Sequence, residues 1–430
     1  MDEATELTFS ASRIKSHGFS ARDEDDGNFE ADGYDATRLS FYGARHLNDQ
    51  TTIGLNGFWE DSSGNFDDYD GDVTGTSGND TTTGKSFGLR AFANFTIGAV
   101  DHKISLTRYR MDRTSSADFQ PPTYAPNIVV TDEFIGSRTK LSWQGATDIG
   151  AHGARLIFGA DTEKETAQNF DDARLSGAYV EITAPLGTDV DLNASIRRDD
   201  HSLAGGFTSG RIAAVWRARE DLLVRAAIGN GFRAPSLYEL YGPYGEPALT
   251  REDSVSAELG VEKRWGDTGH LRATAFWLDA DNLIGFDESS TICGQPYGCY
   301  AQVDGKSRRR GVELDGRYTL SGGVTFTGAY TYTDNLDSTG WVDVPEHVLS
   351  LGAETSFASG TTAGLSLHAE ADRADGLPSF TTVNLAVSHP VTDEAVAYLR
   401  VDNLLDRDYQ LVRGYGTSGR AIYAGVRAEF

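Results

Sequence analysis

Residues 419–430 read GRAIYAGVRAEF. Ile422, Ala424, Val426, Ala428 and Phe430 fall on one side of an extended strand, and Tyr423, Gly425, Arg427 and Glu429 on the other, because successive side chains point to opposite faces. One face is apolar, the other polar or charged, and the chain stops on an aromatic residue. The preceding strand repeats the pattern, with Ala395, Ala397, Leu399 and Val401 opposed to Arg400 and Asp402. A Gly/Asp/Tyr-rich loop, 406–418, lies between them. Two such strands ending in Phe suggest an outer-membrane β-barrel. A water-soluble antiparallel sandwich also alternates, so one hairpin leaves both open.

Working back from this hairpin, a period of two recurs along nearly the whole chain and a period of 3.6 almost nowhere. Twenty strands are expected, beginning near Thr5, Tyr34, Thr51, Gly84, Lys103, Glu133, Gly153, Ala173, Thr188, Thr208, Leu222, Ser254, His270, Gln302, Val324, Glu346, Thr361, Ser379, Ala395 and Gly419. Val190, Leu192, Ala194 and Ile196 against Asp191, Asn193, Ser195 and Arg197 is a clear case. Val255, Ala257, Leu259 and Val261 against Ser256, Glu258, Gly260 and Glu262 is another. The connections alternate in length. Short ones include 48–50, 185–187, 219–221, 266–269 and 321–323; long ones include 16–33, 61–82, 112–132, 231–253, 287–301 and 335–345. Tight turns at one end and long loops at the other are how outer-membrane barrels are built, and a sandwich has no reason to keep a strict alternation. The fold class is therefore an all-β transmembrane antiparallel barrel, with both termini on the short-turn, periplasmic side.

Composition agrees. The 430 residues carry 38 Lys plus Arg against 64 Asp plus Glu, a net charge of −26, which argues against a nucleic-acid partner. No apolar run reaches the roughly 18 residues of a transmembrane helix. A barrel strand needs only about 9–11, half of them apolar. With 48 Gly, 21 Phe and 18 Tyr, the sequence can supply tight strand packing and aromatic girdles. The first residues, Met1-Asp2-Glu3-Ala4, are acidic and show no secretory signal. Read literally, that places the chain in the cytoplasm; the strand pattern favours an N-terminal part missing from it.

Residues 229–265 read GNGFRAPSLYELYGPYGEPALTREDSVSAELGVEKRW. This resembles the barrel signature of TonB-dependent outer-membrane receptors. Arg310-Gly311-Val312-Glu313-Leu314, the run Val401-Asp402-Asn403-Leu404-Leu405-Asp406-Arg407-Asp408-Tyr409 and the terminal Phe430 extend the resemblance over essentially the whole chain. The LYGPYGEPAL wording and the order of the pieces look most like the vitamin B12 receptor branch. The resemblance implies an outer-membrane receptor barrel for high-affinity, TonB-dependent uptake of a large scarce nutrient. Cobalamin or another corrinoid comes first and an iron–siderophore complex second, ahead of a passive porin or an enzyme at the barrel rim. It also implies a plug domain and about 22 strands. The chain as read is residues 1–430 of barrel, without the plug and its first two strands. Its implied partners are the lipid bilayer and lipopolysaccharide, TonB only through the missing plug, and the barrel-assembly machinery through the strand ending in Phe430.

Candidate sites lie in the long loops. Asp23, Glu24, Asp25, Asp26, Glu30, Asp32 and Asp35 crowd one, and Asp61, Asp67, Asp68, Asp70 and Asp72 the next. Such carboxylates can supply the six to eight oxygens of a Ca²⁺ site, or simply form a solvated acidic surface. The resemblance carries calcium onto Glu30, Asp32 and the Glu60/Asp61 region, with Asp67 of the same acidic loop as a further candidate ligand; no other cofactor is expected. Cys293 and Cys299, six residues apart and the sequence's two cysteines, fit a disulfide better than a metal or redox pair. Tyr241, Tyr244, Tyr297, Tyr300 and Trp341 are candidates for an aromatic ligand surface, or for girdle residues, as Tyr238 reads. Catalytic motifs are wanting: Gly229-Asn230-Gly231 lacks the third glycine of a dinucleotide turn, no GxSxG or HExxH occurs, and His201 beside Asp199 and Asp200 reads as a loop residue.

Overall fold

The computed structural model describes residues 4–67, 80–119, 128–150, 153–288, 298–302, 306–336 and 344–429. The first strands are β1 (Thr5–Ser16), β2 (Tyr34–Asn48), β3 (Thr51–Asn65), β4 (Thr81–Ile97), β5 (Val100–Phe119), β6 (Ile128–Ile149) and β7 (Ala154–Ala167). Then come β8 (Ala173–Leu186), β9 (Val190–His201), β10 (Gly205–Arg219), β11 (Leu222–Arg233), β12 (Glu252–Arg264) and β13 (Gly269–Asp281), with one short helix, α1 (Leu237–Tyr241), between β11 and β12. A separate two-stranded hairpin follows, β14 (Ile284–Asp287) with β15 (Cys299–Gln302). The chain ends with β16 (Lys306–Thr319), β17 (Thr325–Asn335), β18 (His347–Ser356), β19 (Thr362–Ala371), β20 (Phe380–Pro390), β21 (Ala395–Asp402) and β22 (Ala421–Ala428).

Apart from β14 and β15, these strands make one 20-stranded sheet in which each pairs antiparallel with the next in sequence and β13 pairs with β16. Every strand expected from the sequence is present. The hairpin and α1, both inside long loops, were not foreseen.

The register sorts the faces. Leu192, Ala214, Ala226, Leu259, Ala275 and Val312 line up across β9 to β16 as one unbroken apolar row. On the other face Glu262, Arg272 and Asp315 stand side by side. Curvature tells which face is inner. Arg197 on β9 reaches past β8 to bond Asp161 on β7 at 2.8 and 3.1 Å. Side chains two strands apart meet only on the concave side of a curled sheet. Gly177 lies beneath that bridge, and a Cβ there would come within 2.2 Å of Arg197 Nη2. The polar face therefore lines the lumen and the apolar face turns to lipid, as a membrane barrel requires.

Among the described residues no ladder joins β1 to β22. The sheet's two ends nevertheless meet at the long-loop end, where Arg22 and Tyr415 form a β-bridge. Asp23 N–H donates to Gly414 O at 3.1 Å and Gly416 N–H to Ala21 O at 3.0 Å. A sheet whose first and last strands are held together by their loops is rolled into a barrel with a seam.

The alternation of connections is less strict than expected. On the long-loop side, 168–172 and 202–204 are as short as the turns opposite. The second is tightened by His201, whose Nδ1 accepts from Leu203 N–H and Ala204 N–H at 3.2 and 3.0 Å. The rim is consequently low over β7 to β10. Elsewhere it is tall: β6 runs for 22 residues, about twice what a bilayer crossing needs, so its upper part stands outside the membrane.

Candidate functional site

A barrel wall one sheet thick buries few large apolar side chains, and the long loops add buried residues of their own. Ser236 caps α1 by accepting from Glu239 N–H at 3.2 Å, while the Glu239 carboxylate takes Ser236 N–H at 2.6 Å. That reciprocal pair satisfies donors a helix start would leave open. The PSLYEL wording thus carries local helix chemistry inside a β protein. Leu237, Leu240 and Leu249 pack beneath the loop.

The β14–β15 hairpin docks on this loop through directed bonds. Tyr300 N–H donates to Tyr244 O at 2.9 Å. Gln302 accepts from Thr250 N–H at 2.8 Å and returns a bond to Thr250 O at 2.8 Å. Glu252 accepts from Ile284 N–H at 2.8 Å and from Arg233 Nη2 at 2.7 Å. Arg233 also clamps Glu239 at 2.9 Å. Burial raises the Glu239 carboxyl, but Arg233 and the Ser236 N–H outweigh it and hold the group below the usual range. Cys299, 0% exposed, is disulfide-bonded, and Ala301 beside it is 2% exposed. The other cysteine, Cys293, lies outside the described residues, as do Tyr297 and Trp341.

Docking the hairpin builds a chain of rings. Tyr238 meets Tyr300 edge-on with centroids 6.0 Å apart, Tyr300 meets Phe286 at 5.5 Å, and Phe286 meets Tyr244 at 5.7 Å. Tyr238, Tyr244 and Phe286 stay about two-fifths exposed, so the cluster keeps an open apolar surface with phenol tips. Burial raises the Tyr300 phenol. Tyr238, read from the sequence as a girdle residue, meets Tyr300 in this cluster. Phe286 was not foreseen; it lay in a stretch, NLIGFD, too short to read as a strand. Tyr241 leans the other way, toward Phe170 at 6.5 Å.

The second feature is acidic. Oxygens of Glu30, Asp32 and Asp67 lie within 4.8 Å of one another. The two loops that supply them are stitched by the backbone. Asp32 accepts from Ala21 N–H at 2.6 Å. Asp67 Oδ2 accepts from Arg22 N–H at 2.7 Å and Ser20 Oγ at 3.1 Å. Its other oxygen, Oδ1, is buried and takes no hydrogen bond among the described residues. Burial, then Asp67 and the nearby Asp80, raise the Asp32 carboxyl against the pull of Ala21 N–H. Asp61 stands apart, on β3 with its carboxylate 3.9 Å from Lys85 Nζ. Residues 20–23, which hold this cluster, also make the seam contacts to 414–416.

Below the low part of the rim, a recess of about 460 Å³ is lined by Arg138, Glu163, Arg197, Asp199 and His201, with Phe232 and Pro235 at its edge. His201 is a wall residue there rather than a loop one. Its ring is used structurally by the 202–204 turn.

The chain matches the family described as TonB dependent receptor-like, beta-barrel, over residues 6–404. It is 29% identical over 257 residues to the vitamin B12 transporter BtuB of Vibrio cholerae serotype O1, a match covering 56% of this chain and 40% of that protein. With BtuB of Photobacterium profundum it shares 23% identity over 439 residues, covering 96% of this chain and 67% of the relative. In fold it is similar to the siderophore receptor PirA of Acinetobacter baumannii, with a TM-score of 0.83 at 14% identity over 100% of this chain and 76% of that one. A mutant of the ferric enterobactin receptor PfeA of Pseudomonas aeruginosa gives a TM-score of 0.81 at 16% identity, covering 100% of this chain and 76% of that one. A family match over nearly the whole barrel, with the register described above, places this chain among the TonB-dependent receptor β-barrels of the outer membrane.

Proposed function

We propose that this chain is the barrel of a receptor that captures cobalamin or another corrinoid and passes it inward with energy drawn from TonB. The ring cluster Tyr238, Tyr300, Phe286 and Tyr244 is the proposed ligand surface, with Tyr241 and Tyr297 in the same loops and Trp341 in the connection between β17 and β18 as further candidates. Charge carries the choice of ligand. The chain bears a net −26, and its first long loop is dense in Asp and Glu. A ferric catecholate is a multiply charged anion that such a field repels, whereas an amide-fringed corrinoid is close to neutral.

Glu30, Asp32 and Asp67 are the proposed Ca²⁺ ligands. The buried, unbonded Asp67 Oδ1 fits that ion: a carboxylate oxygen hidden from water and from donors is stabilised by a hard cation. Asp61 would join only if its loop moved. A cation there cancels repulsion between two loops and stiffens the strap 20–23 that closes the seam. Loops ordered beforehand spare a ligand part of the entropy of immobilising them.

Calorimetric titration of the full-length receptor with cyanocobalamin and with a ferric catecholate, each with Ca²⁺ and with chelator, tests both readings. Cobalamin should bind, and calcium should tighten it by about 5- to 150-fold, the range of typical site–site coupling. Binding of the ferric catecholate with none of cobalamin overturns the ligand. Equal cobalamin affinity in both buffers overturns the calcium coupling alone.

A further inference from the structure

The loop-side ends of β17, β18 and β19 bring together a cluster the receptor function leaves unused. One ligand atom each from Glu346, His347 and Asp372 lies within 4.8 Å of the others. His347 Nε2 stands 3.6 Å from Asp372 Oδ2. The other ring nitrogen, Nδ1, is 2.8 Å from Tyr330 Oη, and the imidazole packs against Tyr330 and Tyr332 of the neighbouring strand with centroids 6.0 and 5.2 Å away. From this we infer a site for a divalent transition-type cation such as Zn²⁺, bound by His347 Nε2 with the carboxylates of Asp372 and Glu346.

The backbone holds the three residues without using their side chains. Thr333 N–H donates to Glu346 O at 2.8 Å and Glu346 N–H to Asp372 O at 3.0 Å, which prolongs the ladder past the end of β18. In a regular strand Glu346 and Asp372 would face away from His347. Asp372 has φ of 51°, in the left-handed region that Asp and Asn tolerate best, and its carboxylate comes round to the histidine.

The surroundings favour a cation. Arg373, next in sequence, is bound to Glu370 at 3.0 Å and to the carbonyls of Gln410 and Leu411 at 2.7 and 3.0 Å. No Lys or Arg is ion-paired with Glu346 or Asp372 among the described residues. Two carboxylates thus face one imidazole with no ion-paired Lys or Arg among the described residues.

Donor chemistry selects the metal. Imidazole nitrogen with two oxygens suits Zn²⁺, Cu²⁺ or Ni²⁺, whereas Ca²⁺ takes six to eight oxygens. Bonds of about 2.0–2.2 Å need donors somewhat closer than 4.8 Å, a change within reach of two exposed carboxylates. With Nε2 on the metal, Nδ1 carries the proton and donates it to Tyr330 Oη. That is the outer contact that commonly fixes a metal-binding histidine. Bound metal would tie the loop-side ends of β18 and β19 together at the outer rim.

The test is Zn²⁺ calorimetry on the full-length protein with Ca²⁺ in excess, and Cu²⁺ paramagnetic resonance on the same samples. One Zn²⁺ should bind. Affinity should fall more than about tenfold in His347→Gln and in Asp372→Asn, which keeps the left-handed tolerance, and about tenfold in Tyr330→Phe. Asp32→Asn should leave it unchanged. The Cu²⁺ spectrum should show coupling to one imidazole nitrogen, lost in His347→Gln. Zinc affinity unmoved by both His347→Gln and Asp372→Asn, or nitrogen coupling that survives the histidine change, overturns the site and leaves a plain His–Asp contact.

Discussion

Asp32→Asn separates charge from shape at the acidic cluster. Asparagine keeps an oxygen to accept Ala21 N–H, now 2.6 Å from the carboxylate, and loses the negative charge. At a separation of 4.8 Å, two carboxylates repel by ~1 kcal/mol at the dielectric of water and ~3.5 kcal/mol at the effective value near a protein surface. Asp32 faces Glu30 and Asp67, so the change relieves two such pairs. Screening at this partly exposed position leaves about 2 kcal/mol, or about thirtyfold in the equilibrium between closed and open loop. Without metal the variant should therefore be more ordered than the natural protein. With calcium it should be worse, because one ligand is weaker. Hydrogen exchange at the Ala21 and Arg22 amides, with chelator and with Ca²⁺, reads both effects. The raised Asp32 carboxyl fixes the sign with pH. Its folded value lies above its unfolded one, so the metal-free loop loses stability as pH rises through that range. Calcium, competing with the proton, should bind more weakly as pH falls through it. A variant no better protected than the natural protein in chelator, with calcium affinity intact, would refute both the repulsion and the site.

Arg233→Ala strands Glu239 and Glu252 and should cost the α1 loop about 2 kcal/mol, discounted for solvent; faster exchange over 236–252 and 284–287, with barrel unfolding unchanged, is the expected result. Because Glu239 is held below its unfolded value, its contribution is present above that value and lost as pH falls through the folded one, and Glu239→Gln should flatten this acid dependence of loop exchange. At Gly311 a Cβ would sit 1.9 Å from Tyr332 O, so Gly311→Val should block barrel assembly, whereas Gly322→Ala, with nothing within 4 Å, should be neutral; heat-modifiable mobility on gels distinguishes them. If corrinoid sits on the ring cluster, Tyr300→Ala should weaken its binding by about tenfold or more without moving calcium affinity, as loss of a central aromatic contact does.

The wall of this barrel is written in local order. A period of two fixes which residues of β9 or β12 face lipid, and the tight turns fix where each strand reverses, because both depend only on neighbours along the chain. Glu30, Asp32 and Asp67 could be suspected from sequence because carboxylates crowd two adjacent loops. The loops' shapes were not legible. Whether Tyr300 meets Tyr238 or lipid depends on a hairpin docking across 52 residues of sequence through Gln302 and Thr250. The seam depends on Arg22 finding Tyr415, at the opposite end of the chain. Asp61, one of the same acidic run, went to Lys85 because strand register outranked composition. His347, unremarkable in sequence, gained Asp372 and Tyr330 as neighbours only when three strands were laid side by side. Strand alternation is a property of the chain, while every candidate site is a meeting of distant loops, which the tertiary structure alone brings about.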